Sequence, residues 1–142
     1  MKPTLAILII AAGLSAYAVA ASGADAGQTL TLIGRQITES GPKGTPGPRS
    51  TIVFSGRETG DDSGRSYVQC TLIDRVHGLC LGHFRLKNGT ISVETVLPLE
   101  DAPKRLTLDI TGGTGAYNGA RGTATFTDIG KDRTREVFAL EP

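Results

Sequence analysis

The chain has 142 residues, with 15 basic and 14 acidic side chains and a formal charge of +1. A balance this close offers no electrostatic case for nucleic acid or for an anionic membrane as partner. The length suits one domain with a modest core, which a covalent staple would help, and the chain carries two cysteines, Cys70 and Cys80.

The first segment, residues 1–26, places Lys2 before an apolar run from Leu5 to Ala21 and closes on Ala24, Asp25, Ala26. That is the pattern of a signal peptide cleaved after Ala26, leaving residues 27–142 as a single β-barrel domain. A permanent membrane anchor is the competing reading, because the run is nearly long enough to span a bilayer. The small-residue tail and the missing stop-transfer flank favour cleavage, and hence a secreted, extracellular or periplasmic protein with no membrane contact afterwards. An oxidising compartment lets Cys70 and Cys80 form a disulfide.

Beyond residue 27 no stretch keeps a helical period. Short runs alternate β-branched or apolar residues with polar ones, between Gly, Pro, Asp and Asn. Eight strands are predicted, at about Gln28 to Ile37, Thr51 to Arg57, Arg65 to Ile73, Leu79 to Leu86, Thr90 to Leu97, Arg105 to Ile110, Gly122 to Ile129 and Thr134 to Leu140. Glu39 to Arg49, with three prolines and three glycines, reads as an irregular loop. A three-residue loop at Asp74, Arg75 and Val76 sets Cys70 opposite Cys80. Asn88-Gly89 predicts a two-residue hairpin that pairs Leu86 with Ile91, Phe84 with Val93 and His83 with Glu94. The same Asn88, Gly89, Thr90 spells a glycosylation acceptor, which the turn already explains.

Alternation then gathers Val68, Cys70, Leu72, Cys80, Phe84, Leu86, Ile91, Val93 and Leu97 on an inner face, joined by Leu106, Leu108, Ile110, Phe138 and Leu140. Leu79, Leu81 and Val96 are apolar exceptions outside, suited to a subunit contact. The expected fold is all-β, an eight-stranded antiparallel barrel of calycin type, with a two-sheet sandwich as its rival.

From Ile110 the chain reads ITGGTGAYNGARG, then TATFTDI and a last strand ending VFAL; upstream stand VFSGRETG, GRSYVQC and KNGTISVE. These stretches resemble the allene oxide cyclase and dirigent-like barrels over most of residues 28 to 140. The resemblance implies an eight-stranded barrel, often a homotrimer, whose lumen holds an apolar small molecule. Physically, Gly112, Gly113 and Gly115 would permit a tight turn, Tyr117 would plug a barrel end, and Gly119 and Gly122 would allow close backbone approach. A phosphate cradle lacks its Lys and its helix. In the plant cyclases the first strand carries Glu-x-Asn. Gly34, Arg35, Gln36 stand there in this chain, and Glu39 lies in the loop, which argues against allene oxide cyclase activity itself. The acids of the dirigent proteins have no residue-by-residue match, so the scaffold carries over and the chemistry does not.

The candidate catalytic residues are Glu136 and Asp128, inward polar positions where apolar walls would raise a carboxyl pKa for general acid or base work. Gln36, Tyr117, Arg121, Phe84 and Phe138 are the candidate ligand-binding residues, with Gln36, Tyr117 and Arg121 expected near one barrel end together with the two acids. The bland alternative leaves Asp128 and Glu136 at strand ends in water, with Arg121 pairing one of them. His83 with Glu94 reads as a surface ion pair, His77 as solvated, and no metal site or cofactor is expected. The expected function is binding of a hydrophobic small molecule in the lumen, with cofactor-free isomerase or cyclase chemistry or dirigent-type stereocontrol. Against it stands a filled barrel acting as a non-catalytic extracellular binding or structural module.

Overall fold

The structure is a computed structural model that describes residues 27–98 and 103–141; the expected signal peptide lies outside them. Eight strands follow one another around a closed antiparallel barrel, each hydrogen-bonded to its sequence neighbours, with β1 closing onto β8. They are β1 (Thr29–Ser40), β2 (Thr51–Gly60), β3 (Gly64–Leu72), β4 (His77–Leu86), β5 (Gly89–Pro98), β6 (Arg105–Gly115), β7 (Gly122–Gly130) and β8 (Arg133–Leu140). Closure leaves no sheet edge to protect and turns every inward residue onto one core, which excludes the sandwich.

The inner face is the one alternation predicts. Cys70, Leu72, Cys80, Phe84, Leu86, Ile91, Val93, Leu108, Ile110, Phe138 and Leu140 are buried, while Leu81 and Val96 are exposed outside. The core is not spread evenly along the barrel. Leu30, Leu32, Leu86, Ile91, Tyr117, Ala120, Phe138 and Leu140 fill the end where the β2–β3, β4–β5 and β6–β7 turns gather. Buried Asp62 fastens that end: it accepts hydrogen bonds from Tyr117 Oη (2.7 Å), the Asn88 N–H (3.2 Å) and the Ser63 N–H (2.7 Å). Tyr117 therefore plugs the barrel as its aromatic bulk suggests, with its phenol satisfied rather than orphaned.

Cys70 and Cys80 face each other across β3 and β4 and form a disulfide, with Cα atoms 4.0 Å apart. The bond closes a segment of sequence separation 10, for which loop entropy contributes roughly 2.5–3 kcal/mol.

Two local expectations are corrected. At β4–β5, Phe84 pairs Ile91, His83 pairs Ser92 and Leu81 pairs Glu94, two residues off the register of a two-residue Asn-Gly turn. Asn88 is not among the residues with positive φ, so that turn type is not made. Instead the Lys87 N–H goes to the Ser63 carbonyl, the Asn88 N–H goes to Asp62, and Gly89 pairs Gly115 of β6. A Cβ on Gly89 would collide with the Thr114 carbonyl, so this glycine serves close packing against β6. A slip of two leaves every side chain on its own face, which is why the core survives the change of partners. Likewise Gly112 and Gly113 belong to β6, opposite Ser92 and Ile91. The left-handed turn residues are Gly115 (φ 64°) and Gly119 (φ 74°).

Candidate active site

Above the plugged half, the lumen opens into a cavity of about 250 Å³. Its wall is mostly apolar: Val68, Leu97, Leu106, Leu108, Phe84, Phe126 and the Cys70–Cys80 disulfide. Phe84 meets Phe126 and Phe138 edge to face, with ring centroids 5.7 and 5.1 Å away, so this aromatic cluster separates cavity from core. Gln36 and Arg35, both exposed, stand where the cavity reaches solvent.

Two carboxyls break the apolar wall. Glu58 of β2 and Glu136 of β8 are 1% and 5% exposed and both line the cavity. Their strands flank β1, and Gly34 of β1 lies between them, paired with Glu58 on the β2 side and with Thr134, two residues before Glu136, on the β8 side. The absence of a side chain at Gly34 is what admits them. A Cβ there would stand 2.5 Å from Glu136 Oε1 and 2.8 Å from Glu58 Oε2. Gly56 does the same for Glu58, whose Oε1 would lie 3.0 Å from a Cβ at 56. Thus Gly34 leaves an empty position on β1, and carboxyls from both neighbouring strands fill the space.

The two carboxyls hydrogen-bond each other, and the Ser66 hydroxyl donates to Glu58. Burial disfavours charge on both, so both pKa values rise. The hydrogen bonds from Ser66 and Glu136 favour the ionised form of Glu58, whereas the charge of Glu58 acts with burial to push Glu136 up to about 9. At neutral pH Glu136 therefore keeps its proton, beside a Glu58 whose carboxyl is also raised above the ordinary range. Glu58 Oε2 and Glu136 Oε2 are buried without a hydrogen-bond partner. Carboxyl oxygens left without a partner in the interior are costly to the free protein.

The other candidate residues are dispersed. Asp128 is exposed near the open end, where its Oδ1 accepts from the Gly130 N–H at 2.7 Å and shapes the β7–β8 turn. Gln36 is at the cavity mouth with its amide donating to Glu39 at 3.2 Å. Phe84 is in the wall and Phe138 lies behind it. Tyr117 and Arg121 lie at the plugged end, away from Gln36, because the β6–β7 turn is at the opposite rim from the β7–β8 turn. His83 is bonded to Ser92 Oγ at 3.0 Å rather than to Glu94, and His77 pairs Asp74 at 3.0 Å on the surface. Among the described residues there is no cluster of metal-ligating side chains.

Glu58 is the residue that strand assignment missed. Ending the second strand at Arg57 left it outside, although it shares parity with Phe54 and Gly56. The signal that finds it is the pair of inward glycines, Gly34 and Gly56, since a missing Cβ on a barrel wall leaves room that a long neighbouring side chain can enter.

The profile of the allene oxide cyclase barrel like domain matches residues 49–140. No curated protein matches the chain. Among solved structures, a pyocyanin demethylase superposes with a TM-score of 0.69 at 21% identity, covering 80% of this chain and 99% of its own. The exo-specific intermolecular Diels-Alderase AbnU superposes with a TM-score of 0.63 at 14% identity, covering 80% and 98%.

Proposed function

Because the chain belongs to the allene oxide cyclase barrel-like family, we propose that its half-open barrel is a cofactor-independent enzyme that binds a compact apolar molecule and moves a proton on it. The observation that carries this reading is the Glu58–Glu136 pair, two buried carboxyls, each with an oxygen lacking a hydrogen-bond partner, in the wall of a mostly apolar cavity.

The Glu58 carboxylate takes a proton from an acidified carbon or hydroxyl of the ligand, and the Glu136 carboxyl gives one to the atom where charge develops. The pair ends with its single proton exchanged and its total charge unchanged. Such a step suits an isomerisation or a cyclisation, in which bonds rearrange without net gain or loss of electrons. The apolar wall excludes water, fixes one ligand conformation and strengthens both hydrogen bonds. A volume of about 250 Å³ is just under the roughly 300 Å³ of ordinary ligand pockets, so the ligand is compact. Two barrels of the same fold are named for reactions on small molecules, a demethylation and a Diels-Alder addition, which favours chemistry in the lumen over a purely structural role. The disulfide favours an oxidising, secreted or periplasmic setting. A homotrimer touching through Leu81 and Val96 belongs to the same reading.

Native mass spectrometry of the protein from its own host and titration with an apolar fluorophore test the site together. The expected result is one bound molecule per barrel, displaced when Val68→Trp fills the wall. No uptake by the wild type, or uptake indifferent to Val68→Trp, overturns the ligand-binding reading.

A further inference from the structure

The near-neutral total charge conceals a segregation that appears once the strand registers are known. Arg133 of β8 pairs Arg35 of β1, Arg35 pairs Arg57 of β2, Arg57 pairs Arg65 of β3, and Arg65 pairs Arg85 of β4. Five arginines therefore stand side by side on five consecutive strands. All are exposed, and on β1 to β4 each follows or precedes an inward position such as Gly34, Glu58, Ser66 or Phe84, so the row lies on the outer face. At 4.7–4.9 Å per strand it spans about 19 Å.

Like charges directly opposite each other on a sheet repel, and this row places four such contacts in succession. Nothing nearby relieves them. The outward residues two positions along these strands include Ile33, Ser55, Thr59, Tyr67, His83 and Arg135, none of them acidic. Among the described residues, none of the five guanidiniums has a carboxylate within 4.0 Å. A fold under no other demand would scatter these charges.

We propose that this arginine row is a binding track for a linear acidic polysaccharide. Guanidinium forks bind carboxylate and sulfate groups bidentately, which suits repeated anions along a chain. The row crosses four of the eight inter-strand gaps and so bends around about half of the barrel. That convex path meets a flat lipid surface only in part, whereas a flexible chain can follow it. Single-stranded nucleic acid would need a series of aromatic platforms for its bases, and among the described residues the exposed rings beside the row are Tyr67 and His83, which pair each other at one point of it. The track runs along the outside of the wall whose inside holds Glu58 and Glu136, and at Arg35 it reaches the cavity mouth.

The test uses the disulfide-intact chain at low salt, titrated with heparin oligosaccharides, polygalacturonate oligosaccharides, oligo-dT and phosphatidylserine vesicles. Saturable binding to a polysaccharide is expected, weakened about tenfold or more in Arg57→Glu/Arg65→Glu, with the slope of log Kd against log salt reduced by about two. Lys43→Glu/Lys104→Glu makes the same change in net charge off the row and should leave affinity nearly unchanged. Should the first variant fail to fold, Arg65→Gln/Arg85→Gln serves, with retained fluorophore uptake as the check on folding. Equal weakening by on-row and off-row variants, or tighter binding to oligo-dT or vesicles than to either polysaccharide, overturns the proposal.

Discussion

The wild-type protein is expected to lose roughly 3–5 kcal/mol of stability between pH 5 and pH 9, and Glu136→Gln to remove most of that loss. The sign follows from the direction of the shift. Burial and the neighbouring Glu58 raise the Glu136 pKa from 4.5 to about 9, so between those values the folded protein holds a proton that the unfolded chain releases. Stability from this group is fully present below the unfolded pKa and drains away as pH climbs toward the folded one. Each pKa unit is worth about 1.4 kcal/mol, and sharing the proton with Glu58 trims the total. For a domain of this size the melting temperature should fall on the order of 10–20 °C over that interval. Glutamine keeps the shape and cannot ionise, so the variant should melt at nearly the same temperature at both pH values and outlast the wild type at pH 9. On the proposed function it also removes the proton donor, at a cost of about 100-fold or more in turnover. Thermal melts across pH check the stability claim without knowledge of the substrate. Equal wild-type melting at pH 5 and pH 9 would sink it.

The second large effect is expected at the other end of the barrel. Asp62→Ala should destabilise by about 3–5 kcal/mol, because it strips the acceptor from the Tyr117 hydroxyl, the Asn88 N–H and the Ser63 N–H together. Burial opposes ionisation of Asp62, but those donors outweigh it and hold the carboxyl below its usual 3.8. Its contribution is therefore present above that value and is lost as pH falls through the lower folded one, the reverse of Glu136. Asp62→Asn keeps an acceptor for the phenol and should cost about 1–2 kcal/mol, and Tyr117→Phe about 1 kcal/mol. Denaturant melts of the three variants rank these effects. An Asp62→Ala protein no weaker than Tyr117→Phe would show that the backbone donors find other partners and that Asp62 is not what fastens this end.

The sequence made some of this legible and hid the rest for identifiable reasons. Strand positions and faces follow from period-two alternation, and the Cys70–Cys80 pairing follows from a three-residue loop, because both are local. The Asn88-Gly89 turn misled because its preferred geometry is also local, whereas the observed loop answers to Asp62 and to β6, far away in sequence. Glu136 has inward parity and is visible as a candidate. Its partner Glu58 is not, because what joins them is the empty volume at Gly34 and Gly56, a property of three strands at once. Asp128 shares the inward parity yet sits one residue before the strand irregularity at the β7–β8 turn, where its carboxyl caps backbone in solvent. The arginine row needs four registers to be known together, so a net charge of +1 gives no hint of it.

Glutamate side-chain carbon chemical shifts, followed by NMR through a pH titration of the folded protein, test the central claim most directly. Of the six glutamates, Glu58 and Glu136 should titrate abnormally, with each responding to the other and one step near pH 9 that vanishes in Glu136→Gln. If all six carboxyls titrate together in the ordinary range near 4.5, the two lumen glutamates share no proton at neutral pH, and the proposed acid and base are not there.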